Sequence, residues 1–171
     1  SFKKANERIK NMIKAGADII DVGGESTRPG SKIISQKNEL HRIKEVIKKF
    51  KISYPQTVLS IDTRKSLVME FSIKHNVDII NDVSSFKFDP KSFKTIKNKN
   101  LWKIIHHMQG TPQTMQINPK YDHVLLDIYD FFEREIEKFK KLKFREKIIL
   151  DPGIGFGKNL KHNLMILNKI Y

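Results

Sequence analysis

Asp21, Asp62, Asn81 and Asp151 each stand at the end of a short apolar run: Asp18-Ile19-Ile20-Asp21-Val22, Val58-Leu59-Ser60-Ile61-Asp62, Val77-Asp78-Ile79-Ile80-Asn81-Asp82 and Ile148-Ile149-Leu150-Asp151. His107 lies close to the end of another such run, 101–107. Runs of this length read as buried strands. A carboxylate at a buried strand end costs desolvation energy unless something pairs with it. The histidines show no metal-ligand spacing, so donors on a ligand are the expected partners. A planar heterocycle with an amino-amidine edge presents two N–H groups side by side, which one carboxylate accepts as a bidentate pair. Asn81 can donate and accept at once, which suits a mixed edge. Taken singly, each residue could equally cap a helix or hold a turn; their recurrence at matching strand ends favours a common site.

The stretch Gly23-Gly24-Glu25-Ser26-Thr27-Arg28-Pro29-Gly30 is too long for a simple turn. Thr27 to Gly30 supply a hydroxyl, a guanidinium fork suited to phosphate, and glycine-flanked mobility, so a loop that closes over an anionic substrate is expected. Asp151-Pro152-Gly153-Ile154-Gly155-Phe156-Gly157-Lys158 invites a phosphate-loop reading that fails: Pro152 and Asn159 stand where a Walker loop needs Gly and Ser or Thr. Lys158 likewise breaks a dinucleotide fingerprint. The glycines still allow close backbone approach to a flat ligand, and Phe156 offers an aromatic face. Neighbouring strand residues face opposite sides, so His106 and His107 do not chelate one metal. His106 reads as a structural histidine, and His123 and His162 as helix-surface or loop residues.

The elements that carry these residues alternate. Helical spacing of apolar residues predicts helices over 3–15, 36–50, a segment N-capped by Thr63, 90–98, 122–142 (Val124, Leu125, Ile128, Phe132, Ile136 and Phe139 inward) and from 160 onward. Strands between helices imply a parallel sheet. The shared placement of polar strand ends favours a TIM (β/α)₈ barrel, whose strand ends converge on one mouth, over a doubly wound sheet. A full barrel has about 250 residues and eight units. The five strands of this 171-residue chain therefore predict an incomplete barrel, about strands 2–6, read as one domain over 1–171.

The composition is that of a globular protein, with 39% hydrophobic and 30% charged residues. No apolar run approaches the roughly 20 residues of a membrane span, no signal peptide is visible, and the absence of cysteine fits a reducing compartment, the cytoplasm. The formal charge of +14 could mean nucleic-acid binding. The lysines, however, are spread over nearly every helix without a basic stripe, alongside abundant Ile, Asn and Phe. That pattern reads as the compositional bias of an AT-rich genome, not as a nucleic-acid surface.

Asp21-Val22-Gly23-Gly24-Glu25-Ser26-Thr27-Arg28-Pro29-Gly30 resembles the first signature of the dihydropteroate synthase family. Ser60-Ile61-Asp62-Thr63, Ile80-Asn81-Asp82-Val83, His107-Met108-Gln109-Gly110 and the stretch 151–159 resemble its further motifs, in the family's order and over nearly the whole chain. The bacterial enzymes, targets of sulfonamides, are the most similar in character. The resemblance implies condensation of a hydroxymethyl-dihydropterin diphosphate with 4-aminobenzoate, giving 7,8-dihydropteroate and diphosphate. By motif position Asp62, Asn81 and Asp151 would hold the pterin, Thr27, Pro29 and Phe156 the 4-aminobenzoate, and Arg28 the diphosphate. Asp62 and Arg28 would support the transition state. The resemblance also implies Mg²⁺ and a homodimer of the full-length protein.

The family's first strand and loop, with an asparagine that helps place Mg²⁺, have no counterpart here. Neither do a lysine of its seventh strand and an arginine and histidine of its eighth. No metal ligand is therefore assigned in this stretch, which is expected to be a fragment, unstable and inactive when expressed alone. The rival readings are a pterin-binding methyltransferase of the methyltetrahydrofolate type, a non-functional truncated product, and a basic nucleic-acid-binding protein.

Overall fold

In the computed structural model, which describes residues 2–28, 30–143 and 147–169, the apolar runs form strands β1 (Ile19–Gly23), β2 (Val58–Asp62), β3 (Ile79–Asp82), β4 (Trp102–His106) and β5 (Ile148–Asp151). They alternate with helices α1 (Phe2–Lys14), α2 (Gln36–Ser53), α3 (Ser66–Ile73), α4 (Ser92–Ile96), α5 (Val124–Lys141) and α6 (Leu160–Leu167). Every strand pairing is parallel, and the order across the sheet is β1-β2-β3-β4-β5. A doubly wound sheet reverses its order at a switch point. An order that never reverses is that of a barrel wall, so the chain forms an arc of an α/β barrel.

Alternation along each strand sorts the side chains into two faces. Ile20, Leu59, Ile61, Ile80 and Ile105 point outward and are buried under the helices. They share one apolar cluster with Ile9 of α1, Ile43, Ile47 and Phe50 of α2, Val68 and Met69 of α3, Ile96 of α4 and Phe139 of α5. Each such side chain contributes about 1.5–3 kcal/mol of burial. The other face carries the register rows Asp21–Ser60–Ile79–Trp102 and Gly23–Asp62–Asn81–Ile104–Ile149, and above them His106–Asp151. The polar ends thus fall on the inner face because their parity is opposite to that of the helix-facing isoleucines.

One local expectation changes. Thr63 does not cap α3, which begins at Ser66 after Lys65 without a side-chain cap. Its hydroxyl donates instead to the Glu39 carboxylate at 2.5 Å, because a fully buried carboxylate is the more demanding acceptor. In α5, Val124, Ile128 and Phe139 are buried as the periodicity predicts, and Glu135 is buried with them; Lys87 and Lys138 both reach its carboxylate at 2.8 Å. His123 and His162 lie at helix starts. His123 Nδ1 accepts from the Leu126 amide, and His162 completes a capping box with Asn159. Among the described residues no helix is long and apolar enough to cross a membrane.

Candidate active site

Asp62 and Asn81 are register partners on β2 and β3. The Asn81 amide donates to Asp21 Oδ2 at 3.4 Å, while its Oδ1 is buried and without a hydrogen bond among the described residues. Burial pushes the Asp62 carboxyl up to about 7, with the charges of Asp21, Asp82 and Glu39 adding and Arg64 opposing. No hydrogen bond to a described residue offsets this. Such a cluster of carboxylates stabilises a ligand that brings N–H donors or positive charge. Asp82, whose parity turns it toward the helices, is fully buried and bonded to Ser84 through both amide and hydroxyl.

Asp151 lies on the inner face one row further up, as the register partner of His106. Its Oδ1 accepts from the Gly153 amide at 2.8 Å, so one carboxylate oxygen fixes the turn and Oδ2 faces the site. The Phe156 ring follows, edge-to-face with His106 at a centroid distance of 4.6 Å.

The two adjacent histidines divide the work differently from the sequence reading. His106, 4% exposed, is on the site face, with Nε2 3.9 Å from Asp151 Oδ2. His107 turns away, its ring edge-on to Phe131. Its Nδ1 is 2.9 Å from the Lys158 ammonium, which also donates to the carbonyls of Gly153 and Phe156, each at 3.0 Å. Lys158, absent from the predicted site, therefore ties the glycine-rich turn to β4. Burial lowers the Lys158 amine to about 8. Burial, with the Lys158 charge adding, lowers His107 to about 3. Gly153 has φ +69° and sits where a Cβ would collide with the His107 carbonyl, so the turn requires glycine.

The loop after β1 is anchored at its base. Glu25 pairs with Arg64 at 2.7 Å and Lys65 at 2.8 Å, and Lys65 reaches Glu39 at 2.6 Å. A Cβ on Gly24 would come within 2.7 Å of the Glu39 carbonyl, so this glycine serves close packing on α2. Beyond the anchor, Thr27 is half-buried and Arg28 exposed, with no ion pair from its guanidinium to a described residue. Pro29 lies outside the described residues. Gln113, from the β4–α5 loop, donates to the Ser31 carbonyl at 3.1 Å, so two loops meet across the mouth. The strand ends thus bring together Asp21, Asp62, Asn81, Asp151, His106 and Phe156; among the described residues no hydrogen bond or ion pair joins the side chain of Thr27 or Arg28 to them. The buried network of Glu25, Glu39, Arg64 and Lys65 escaped sequence reasoning, since nothing local marks residues so far apart as partners.

A cavity of about 330 Å³ opens between the loops after β2, β3 and β4, lined by Arg64, Val83, Ser84, Phe88, His106 and Met108 among others. His106 belongs both to this cavity and to the carboxylate floor. Among the described residues no three carboxylates or imidazoles converge to hold a metal, and the donor set present does not form a Mg²⁺ site of its own.

The sequence pattern of the pterin binding enzyme family matches residues 1–171. The dihydropteroate synthase of Escherichia coli K12 is 41% identical over 160 residues, which are 93% of this chain and 56% of that relative. The structure of Yersinia pestis dihydropteroate synthase with a sulfonamide drug superposes with a TM-score of 0.95 at 37% identity, covering 99% of this chain and 62% of that one. The Burkholderia cenocepacia dihydropteroate synthase complexed with 7,8-dihydropteroate gives 0.89 at 34% identity, covering 98% and 60%. This chain spans roughly three-fifths of the length of these relatives. With an unreversed arc of barrel strands, polar strand ends on its inner face and a match over its whole length, the chain belongs to the pterin binding enzyme family.

Proposed function

We propose that the full-length protein is a dihydropteroate synthase, with residues 1–171 forming part of its pterin-binding domain. The observation that carries this reading is the row Asp62–Asn81 with Asp151 above it. Carboxylates beside a carboxamide on one half-buried inner face match the amino-amidine edge of a pterin. In this reading Asp62, Asn81 and Asp151 hold the pterin, Phe156 with Thr27 and Pro29 borders the 4-aminobenzoate, and the exposed Arg28 meets the diphosphate. The C–O bond at the pterin methylene breaks and diphosphate leaves with the electron pair. The aniline nitrogen then attacks the methylene cation and loses a proton. The carboxylates favour that cation electrostatically, and the Arg28 fork stabilises the leaving charge.

Small molecules, not nucleic acid or a lipid surface, are the partners in this reading. In the same reading the full-length protein works in the cytoplasm as a homodimer, which sedimentation at twice the monomer mass would register. The Mg²⁺ implied by the resemblance finds no complete ligand set among the described residues. A coupled assay of diphosphate release by the full-length protein tests the function. Release should require both the dihydropterin diphosphate and 4-aminobenzoate and should fall with a sulfonamide; release indifferent to 4-aminobenzoate would contradict it.

A further inference from the structure

Asp151 and His106 leave an unfilled polar gap. Asp151 Oδ1 is taken by the Gly153 amide, and Oδ2 lies 3.9 Å from His106 Nε2, beyond hydrogen-bond length. Nδ1 is buried, with no partner of standard hydrogen-bond geometry among the described residues, and the Val83 backbone acts on the ring's proton. With that proton on Nδ1, Nε2 is an acceptor that a ligand N–H can fill. The ring cannot turn away freely, because Phe156 packs edge-on against it, and both the amide and the carbonyl of His106 are held by the Ser85 hydroxyl. It also forms part of the wall of the 330 Å³ cavity. The imidazole is thus held by its surroundings at the meeting point of carboxylate floor and cavity.

We propose that His106 is a ligand-contacting, specificity-determining residue, whose neutral Nε2 shares with Asp151 Oδ2 an amino group of the bound heterocycle. An amino group has two hydrogens that diverge, so two separate acceptors satisfy it better than one oxygen. The inference rests on the pterin reading of the site and adds to it a contact that vanishes when the ring is protonated. The charged groups that act on this ring are Asp151, which favours the imidazolium, and Lys158, which disfavours it along with burial; Arg64 and Lys87 line the same cavity. Burial dominates and holds the imidazole below its ordinary value, so the neutral acceptor is the form present at neutral pH.

The test is calorimetric binding of 6-hydroxymethyl-7,8-dihydropterin to the full-length protein between about pH 5 and pH 8, for wild type, His106→Leu and His106→Gln. A lost hydrogen bond corresponds to about fivefold to tenfold weaker binding at neutral pH for His106→Leu. His106→Gln, whose amide oxygen accepts without titrating, should bind within about twofold of wild type at neutral pH and lose less affinity than wild type on acidification. His106→Leu binding as tightly as wild type, or His106→Gln losing as much affinity as His106→Leu, would overturn the inference while leaving the pterin reading intact. Should the leucine variant fail to fold, the pH profile of the glutamine variant against wild type decides alone. Absence of pterin binding by wild type would instead sink the reading on which the inference rests.

Discussion

Asp62 of β2 and Asn81 of β3 are direct register partners, so a carboxylate and a carboxamide stand side by side at one level of the barrel wall. Burial and the surrounding carboxylates hold Asp62 at about 7. An aspartate raised in the folded state binds more protons folded than unfolded. Its contribution to stability is therefore full below about pH 4 and is lost as pH rises to about 7. Asp62→Asn removes that loss. The unliganded variant should be more stable than wild type by on the order of 1–3 kcal/mol near pH 8, the gain shrinking toward pH 4. Urea unfolding at the two pH values measures this, and a gain independent of pH would contradict it.

Lys65 is 6% exposed in its side chain and bridges Glu25 and Glu39, the latter fully buried. Lys65→Met leaves Glu39, among the described residues, with the Thr63 hydroxyl as its side-chain partner. Removing one partner of a buried pair costs about 3–5 kcal/mol. The melting temperature should fall by many degrees, and a loss under about 1 kcal/mol would mean that the network is solvated.

His107 should make the fold acid-sensitive. Its folded value of about 3 lies below the ordinary one, so the unfolded chain binds more protons between the two. The stability it contributes is complete above about pH 6.5 and is lost progressively as pH falls toward 3. In His107→Gln the decline in urea midpoint from pH 7 to pH 5 should be shallower than in wild type. An equal decline would assign the acid sensitivity elsewhere.

Gly153→Ala combines a left-handed backbone with a collision at the His107 carbonyl. Because the same turn holds Asp151 Oδ1 and is fastened by Lys158, the variant should lose on the order of 2–4 kcal/mol of stability and bind pterin weakly. Wild-type stability with wild-type affinity would show that the turn can relax at no cost.

The wall of the barrel was legible because each strand is an apolar run and each polar end terminates one. The unreversed strand order did not follow from the alternation with helices, which a doubly wound sheet shares; the polar residues at matching strand ends pointed to it. The division of labour between His106 and His107 was not legible: the run Leu101-Trp102-Lys103-Ile104-Ile105 has no clean polar–apolar alternation to set which histidine faces inward. Its phase is fixed by pairing with β3 and β5, which sets His106 beside Asp151. Lys158 and the Glu25–Lys65–Glu39 network were missed for a related reason, since burial of a charge depends on partners tens of residues away. Thr63 was misassigned because a generic cap preference yielded to a buried carboxylate that no local pattern reveals.

In the proposed function the strand-end polar groups hold a pterin ring. Calorimetric titration of the full-length protein with 6-hydroxymethyl-7,8-dihydropterin, wild type against Asp151→Asn, tests it most directly. Neutralising the half-exposed carboxylate removes a charge-assisted hydrogen bond worth about 1.5–3 kcal/mol, so binding should weaken by about tenfold or more. Equal affinity in the two proteins would contradict the account.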